Sequence, residues 1–237
     1  NSIGLQNPGV EAFCASELPW LAAQDVPVIV NVCGHSKSQY VEVLRRLLVE
    51  DDVAAFELNI SCPNVDCGGI SFGSDAARAE SLVAACREAM AGDSRPLIVK
   101  LTPNVTDITE VARACESAGA DALSLINTVA GMAVDLRRRE SVFRRGVAGL
   151  SGPAIKPVAL YAVFRVHQAV QLPLLGVGGI TSGEDAIEFL LAGATAVAVG
   201  SASFNDPFAA LRIIGEIERW CEENDVFNVN ELIGTLR

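Results

Sequence analysis

The chain has 237 residues, half of them hydrophobic and only 20% charged, enough apolar material for one large core and too much for a disordered segment. A net charge of −11 argues against nucleic acid or an anionic membrane as partner. There is no apolar run of about 18 residues and no leader-like segment, so the expectation is a cytoplasmic protein that does not enter the membrane.

Short β-branched runs alternate with longer helical ones along the whole chain. In order, the pattern predicts strands over Val26–Cys33, Ala54–Ser61, Pro96–Leu101, Ala122–Asn127, Leu172–Gly178 and Ala196–Gly200. Helices are predicted between and after them, over Ser38–Val49, Asp75–Ala91, Thr106–Ser117, Lys156–Ala169, Gly183–Leu191 and Pro207–Glu222. Gly119 and Gly193 close helices where the left-handed conformation is needed. Near-continuous apolar strands with helical crossovers indicate a parallel sheet covered on both faces. No linker or low-complexity segment interrupts the series, so residues 1–237 read as a single domain. The expected fold is α/β, a (β/α)8 TIM barrel with about six of its eight units present.

Polar residues cluster where these strands end. Asn59-Ile60-Ser61-Cys62-Pro63-Asn64-Val65 places a cysteine and several polar groups at a strand's carboxyl end, because Pro63 has no N–H to continue a ladder. A lone cysteine there is usually a small core hydrophobe. Asn59, Ser61 and Asn64 beside it need polar partners, and a polar ligand supplies them. Asn31, Lys100 and Asn127-Thr128 fall at or near other strand ends, the side of α/β folds where ligands gather.

The seven cysteines (Cys14, Cys33, Cys62, Cys67, Cys86, Cys115 and Cys221) are odd in number and scattered, a pattern that suits a reducing compartment. Cys62 and Cys67 have four residues between them, but with only two histidines in the chain no metal site is expected. Gly176-Val177-Gly178-Gly179-Ile180 and Val199-Gly200-Ser201-Ala202 follow the last two predicted strands. Glycines let backbone N–H groups approach an oxyanion, and the loops after strands seven and eight of a barrel are a frequent phosphate site. Gly149-Leu150-Ser151-Gly152 supplies a third glycine turn. The expected ligand carries a phosphate.

The segments Asn1-Ser2-Ile3-Gly4-Leu5-Gln6-Asn7-Pro8-Gly9, Asn59–Val65, Val99-Lys100-Leu101-Thr102-Pro103-Asn104-Val105, Ile126-Asn127-Thr128, Gly149–Pro157 and Val177–Ile180 closely resemble the dihydroorotate dehydrogenases, in particular the NAD-linked class 1B catalytic subunits. The resemblance runs essentially end to end. It implies FMN at the carboxyl mouth of the barrel, with Cys62 as the base. It further implies that Asn1, Ser2, Ile3, Gly4, Leu5, Asn59, Asn127 and Thr128 contact dihydroorotate. Asn31, Asn59, Lys100 and Ile126 would meet the flavin ring and ribityl chain, and Gly152, Gly178, Gly179, Gly200 and Ser201 the phosphate. Family members usually carry threonine where Ser201 stands; serine keeps the hydroxyl. The resemblance also implies two strands ahead of Asn1, a homodimer, and a partner subunit carrying FAD and an iron–sulfur cluster. Two other readings stay open: a dihydropyrimidine dehydrogenase-like reductase of uracil-type rings, and a non-catalytic barrel fragment. A phosphosugar isomerase or aldolase barrel shares the phosphate end but has no need of Cys62 beside paired amides.

Overall fold

The computed structural model describes residues 1–4, 6–60 and 71–237; the expectations placed on Leu5, Ser61 and Cys62 lie outside the described residues. The chain divides into two compact units. The first contains Gly4–Leu101 and Thr109–Leu123, the second Asn1–Ile3, Thr102–Ile108 and Ser124–Arg237.

In the first unit, α1 (Val10–Ala12) and α2 (Leu18–Ala22) flank a π-helical turn over Phe13–Glu17. Then β1 (Val28–Val32), α3 (Lys37–Leu48), β2 (Val53–Asn59), α4 (Ala76–Ala89), β3 (Leu97–Lys100) and α5 (Ile108–Ser117, its first residue in the second unit) follow the predicted alternation. The helix starts have local causes. Ser36 accepts from the Gln39 N–H at 3.3 Å, and Asp75 accepts from the Arg78 N–H at 2.9 Å, satisfying donors that the first turn leaves over. Gly119 takes φ +92° just beyond α5, as its position in the sequence requires.

β1, β2 and β3 are neighbours in that order and parallel. Register-paired residues of a parallel ladder share a face, and side chains alternate along each strand. One face therefore carries Phe56, Leu58, Leu97 and Val99, all fully buried, as are Tyr40, Leu44 and Leu47 of α3 and Leu82, Val83 and Cys86 of α4. The other carries Ile29, Asn31, Glu57, Asn59 and Lys100. Ile29 is 50% exposed, so β1 is not buried on both faces as the parallel-sheet pattern led one to expect. It pairs with one strand only among the described residues, which leaves it an edge.

Arg95 ties the far end of this unit together. Its guanidinium donates to the carbonyls of Leu48 and Glu50, both at 2.7 Å, and lies 4.8 Å from the centre of the Phe56 ring. A cation on the last carbonyls of α3 is favourable both as a donor and against the helix dipole. Tyr40 is fully buried, and its hydroxyl donates to the Asn59 carbonyl at 2.6 Å, linking α3 to the end of β2. Tyr40→Phe removes this donor at constant shape, and we expect a loss of about 1–2 kcal/mol, measured by chemical denaturation.

In the second unit, β4 (Ala122–Leu125, its first two residues in the first unit) neighbours β9 (Leu174–Val177), which pairs in parallel with β10 (Ala196–Ala198). Between β4 and β9 the chain forms two antiparallel ribbons not anticipated from sequence: β5 (Val129–Gly131) with β8 (Ala148–Leu150), and β6 (Val134–Asp135) with β7 (Glu140–Ser141). These strands are two or three residues long, too short for a period-two pattern to register. Helices α6 (Lys156–His167), α7 (Gly183–Leu191), α8 (Ala202–Asn205) and α9 (Ala209–Glu223) complete the unit. β9 starts at Leu174 rather than at the predicted Leu172 because Pro173 has no N–H to donate. Among the described residues, no helix is long and apolar enough to cross a membrane.

Candidate active site

Asn31, Glu57, Asn59 and Lys100 are brought together by strand register. Asn31 pairs with Glu57 across β1 and β2, and Asn59 with Lys100 across β2 and β3, so all four side chains leave the same face. Asn59, Asn31 and Glu57 form a hydrogen-bonded row. The Asn59 Nδ2 donates to Asn31 Oδ1 at 3.3 Å, and the Asn31 Nδ2 donates to Glu57 Oε2 at 2.5 Å. The carboxylate accepts only, so it fixes which end of the Asn31 amide points toward it, and that in turn orients Asn59. Asn59 is 7% exposed and anchored through its own carbonyl by Tyr40. Lys100 stands half-buried at the end of β3, and among the described residues its ammonium has neither an ion pair nor a hydrogen bond.

Glu57 was not among the residues picked out from the sequence. Its signal in the sequence is that, like Asn31 within Val30-Asn31-Val32, it is a polar residue inside an otherwise apolar run, Val53-Ala54-Ala55-Phe56-Glu57-Leu58.

In the second unit the segment after β4 carries Ile126, Asn127 and Thr128. Ile126 is buried and its N–H donates to the Val177 carbonyl at 2.8 Å, which sets it beside the glycines that follow β9. Asn127 Oδ1 accepts from the Thr128 N–H at 2.7 Å. Thr128 lies against Gly149: a Cβ there would fall 2.5 Å from the Thr128 hydroxyl oxygen. The backbone of Asn1 pairs with that same glycine in both directions, each bond 2.8 Å. Gly149 thus brings Asn1 and Thr128 together. Asn104, unassigned in the sequence reading, holds the neighbouring backbone. Its amide donates to the Thr128 carbonyl at 2.9 Å and to Thr102 Oγ1 at 3.0 Å, and accepts from the Ala130 N–H at 2.8 Å. Ser2 and Ile3 are exposed in this unit, and Gly4 is exposed in the other at φ +80°.

Of the five residues expected at a phosphate, four converge. Gly152 (φ +88°) immediately precedes a 3-10 turn over Pro153–Ile155 that leads into α6. Gly179 takes φ +79°, and a Cβ on it would lie 2.7 Å from the Gly152 carbonyl oxygen and 3.0 Å from the Lys156 backbone nitrogen. A Cβ on Gly178 would lie 2.7 Å from that of Ala159. The Ser201 hydroxyl comes within 3.8 Å of the position a Gly152 Cβ would take. Gly200 has open space around it and joins the group only through Ser201. Among the described residues the N–H groups of Gly152, Gly179 and Ser201 have no acceptor. Unpaired backbone donors beside the start of a helix are what an oxyanion needs, and a side chain at Gly179 would fill the space. The arrangement fits a phosphate monoester.

Among the described residues no group of three or more His, Cys, Asp or Glu side chains is placed to hold a metal ion. Burial pushes the thiols of Cys86 and Cys115 up to about 12.

Comparison with known proteins identifies the family. The dihydroorotate dehydrogenase family model matches residues 1–220. The chain is 56% identical over 236 residues to the "Dihydroorotate dehydrogenase B (NAD(+)), catalytic subunit" of Pelobacter propionicus, covering 100% of this chain and 77% of that one. It is 54% identical over the same span to the protein of that name from Trichlorobacter lovleyi, again covering 77% of it. Among solved structures, the crystal structure of DHODH in complex with ferulenol from Eimeria tenella superposes with a TM-score of 0.82 at 21% identity, covering 99% of this chain and 70% of that one. That likeness shows the fold, α/β of the TIM-barrel class. The chain belongs to the dihydroorotate dehydrogenase family, flavin-dependent oxidoreductases of pyrimidine biosynthesis.

Proposed function

We propose that this chain is the catalytic subunit of an NAD-linked dihydroorotate dehydrogenase, that residues 1–237 belong to a single FMN-binding barrel domain, and that Cys62 acts as the base. The observation that carries the cofactor reading is the convergence of Gly152, Gly178, Gly179 and Ser201 around backbone donors that have no acceptor. FMN ends in a phosphate monoester, which such a group accommodates. The chemistry that FMN supplies when bound is acceptance of the hydride from C6 of dihydroorotate.

The protein's own part is proton transfer and orientation. Cys62 Sγ, as thiolate, takes the C5 proton and is left as the thiol. Asn59, Asn127 and Thr128 offer amide and hydroxyl groups to the pyrimidine, with Asn1, Ser2, Ile3, Gly4 and Leu5 as the segment that closes over it. Asn31, Asn59, Lys100 and Ile126 hold the flavin ring and ribityl chain, and Lys100 supplies a fixed positive charge there. Glu57 joins them as the group that orients the Asn31 amide. A second subunit carrying FAD and an iron–sulfur cluster would supply the route from the flavin to NAD, with the catalytic chain pairing as a homodimer and the complex working in the cytoplasm. The relatives are named as catalytic subunits, which supports a partner subunit.

Turnover with dihydroorotate against dihydrouracil, read with an artificial electron acceptor on protein of measured flavin content, tests the proposal. We expect stoichiometric FMN and oxidation of dihydroorotate alone. Preference for dihydrouracil, or protein that holds no flavin when FMN is supplied, would overturn it.

A further inference from the structure

A network of charged side chains lies behind the glycine turns of the second unit and joins the residues that follow each of them. Lys156 opens α6, four residues after Gly152, and its ammonium bridges Asp185 at 2.6 Å and Glu188 at 2.7 Å. Asp185 Oδ2 accepts three bonds from the segment after Gly179: the Thr181 N–H at 2.8 Å, the Thr181 hydroxyl at 2.9 Å and the Ser182 N–H at 3.0 Å. One carboxylate therefore holds the Gly152 side through Lys156 and the Gly178-Gly179 side through Thr181.

A second charge extends the connection. The Arg212 guanidinium donates to the Thr181 carbonyl at 3.2 Å, and also to Asp206 at 3.2 Å and Glu216 at 2.7 Å. Asp206 ends the short α8 that starts directly after Ser201, and its own N–H donates to the Ala202 carbonyl at 3.0 Å. Glu216 accepts from the Gly183 N–H at 2.6 Å, which holds the first turn of α7 against α9. The three turns that carry Gly152, Gly178-Gly179 and Ser201 are thus braced by one set of charges, and none of those charges belongs to the turns themselves.

We infer that Asp185 is a positioning residue for the phosphate end of the cofactor site: with Lys156, Thr181 and Arg212 it sets the spacing of the three glycine turns so that their N–H groups converge on a phosphate monoester. The inference rests on the proposed phosphate cradle. A site held about half an ångström from its productive geometry loses its benefit, and groups on loops need such bracing more than groups on strands. Asp185 suits the task. It is mostly buried, and although burial alone would raise its carboxyl, the Lys156 ammonium and the Thr181 donors outweigh that and hold it at about 2, so it is ionised throughout the neutral range.

The test compares FMN with riboflavin, which is the same molecule without the phosphate. Both are titrated into flavin-stripped full chain by quenching of flavin fluorescence, for the natural protein, Asp185→Asn, Thr181→Val and Arg212→Gln. A hydrogen bond to a charged group is worth enough that Asp185→Asn is expected to weaken FMN by about ten- to a hundred-fold, with riboflavin changed by less than about threefold. Thr181→Val and Arg212→Gln should shift the same ratio in the same direction, by less. A general loosening of the unit would weaken both ligands alike and leave the ratio unchanged; that result overturns the positioning role. If the natural protein binds FMN no better than riboflavin, the phosphate cradle itself fails, and the inference falls with it. Should Asp185→Asn not fold, the ratio in the other two variants decides by the same criterion.

Discussion

Replacing Cys62 by alanine is expected to leave FMN bound and to lower dihydroorotate oxidation by about two to four orders of magnitude, the usual loss when a general base is removed. The thiolate is the basic form, and an unperturbed thiol near 8.5 is only a few per cent ionised at neutral pH. The natural enzyme's rate should accordingly rise with pH until Cys62 is fully deprotonated, and Cys62→Ala should lose that rise. Two of the other thiols cannot stand in. Cys86 and Cys115 in the same unit are fully buried on α4 and α5, and burial pushes both up to about 12. Steady-state rates of both proteins between about pH 6 and pH 10 decide the matter; turnover close to the natural rate in Cys62→Ala would remove this residue from the mechanism.

Gly179→Ala is expected to damage both stability and cofactor binding. At φ +79° an alanine meets backbone strain of about 1–3 kcal/mol, and its Cβ would stand 2.7 Å from the Gly152 carbonyl oxygen, which must then retreat. The retreat opens the spacing between two glycine turns whose N–H groups we assign to the phosphate. We expect a fall of a few degrees in Tm and a rise of about two orders of magnitude in the Kd for FMN, against a far smaller change for riboflavin. Gly215 supplies the contrast. It lies within α9 with open space around it and no left-handed φ, so Gly215→Ala should be neutral or stabilising by about 0.5–1 kcal/mol. Thermal unfolding of the two variants side by side separates a local cradle effect from a general intolerance of alanine; equal FMN affinity in both would refute the assignment of Gly179.

The chain by itself determined the order and kind of its βα units, the left-handed glycines and the polar residues at strand ends. The predicted helix Gly183–Leu191 has the bounds found in the structure, and the other long elements differ by a few residues at their ends. These features are local: apolar period, capping groups and the freedom of glycine act over a few neighbouring residues. What only the tertiary structure decided depends on residues far apart in the chain. Glu57 became part of the amide row because strand register sets it beside Asn31, twenty-six positions away. Lys156, Asp185 and Arg212 carry no distinguishing local pattern, and only the folded chain joins them through Thr181. The ribbons between β4 and β9 went unseen for the same reason, since strands of two or three residues hold together only through the partner across the ladder.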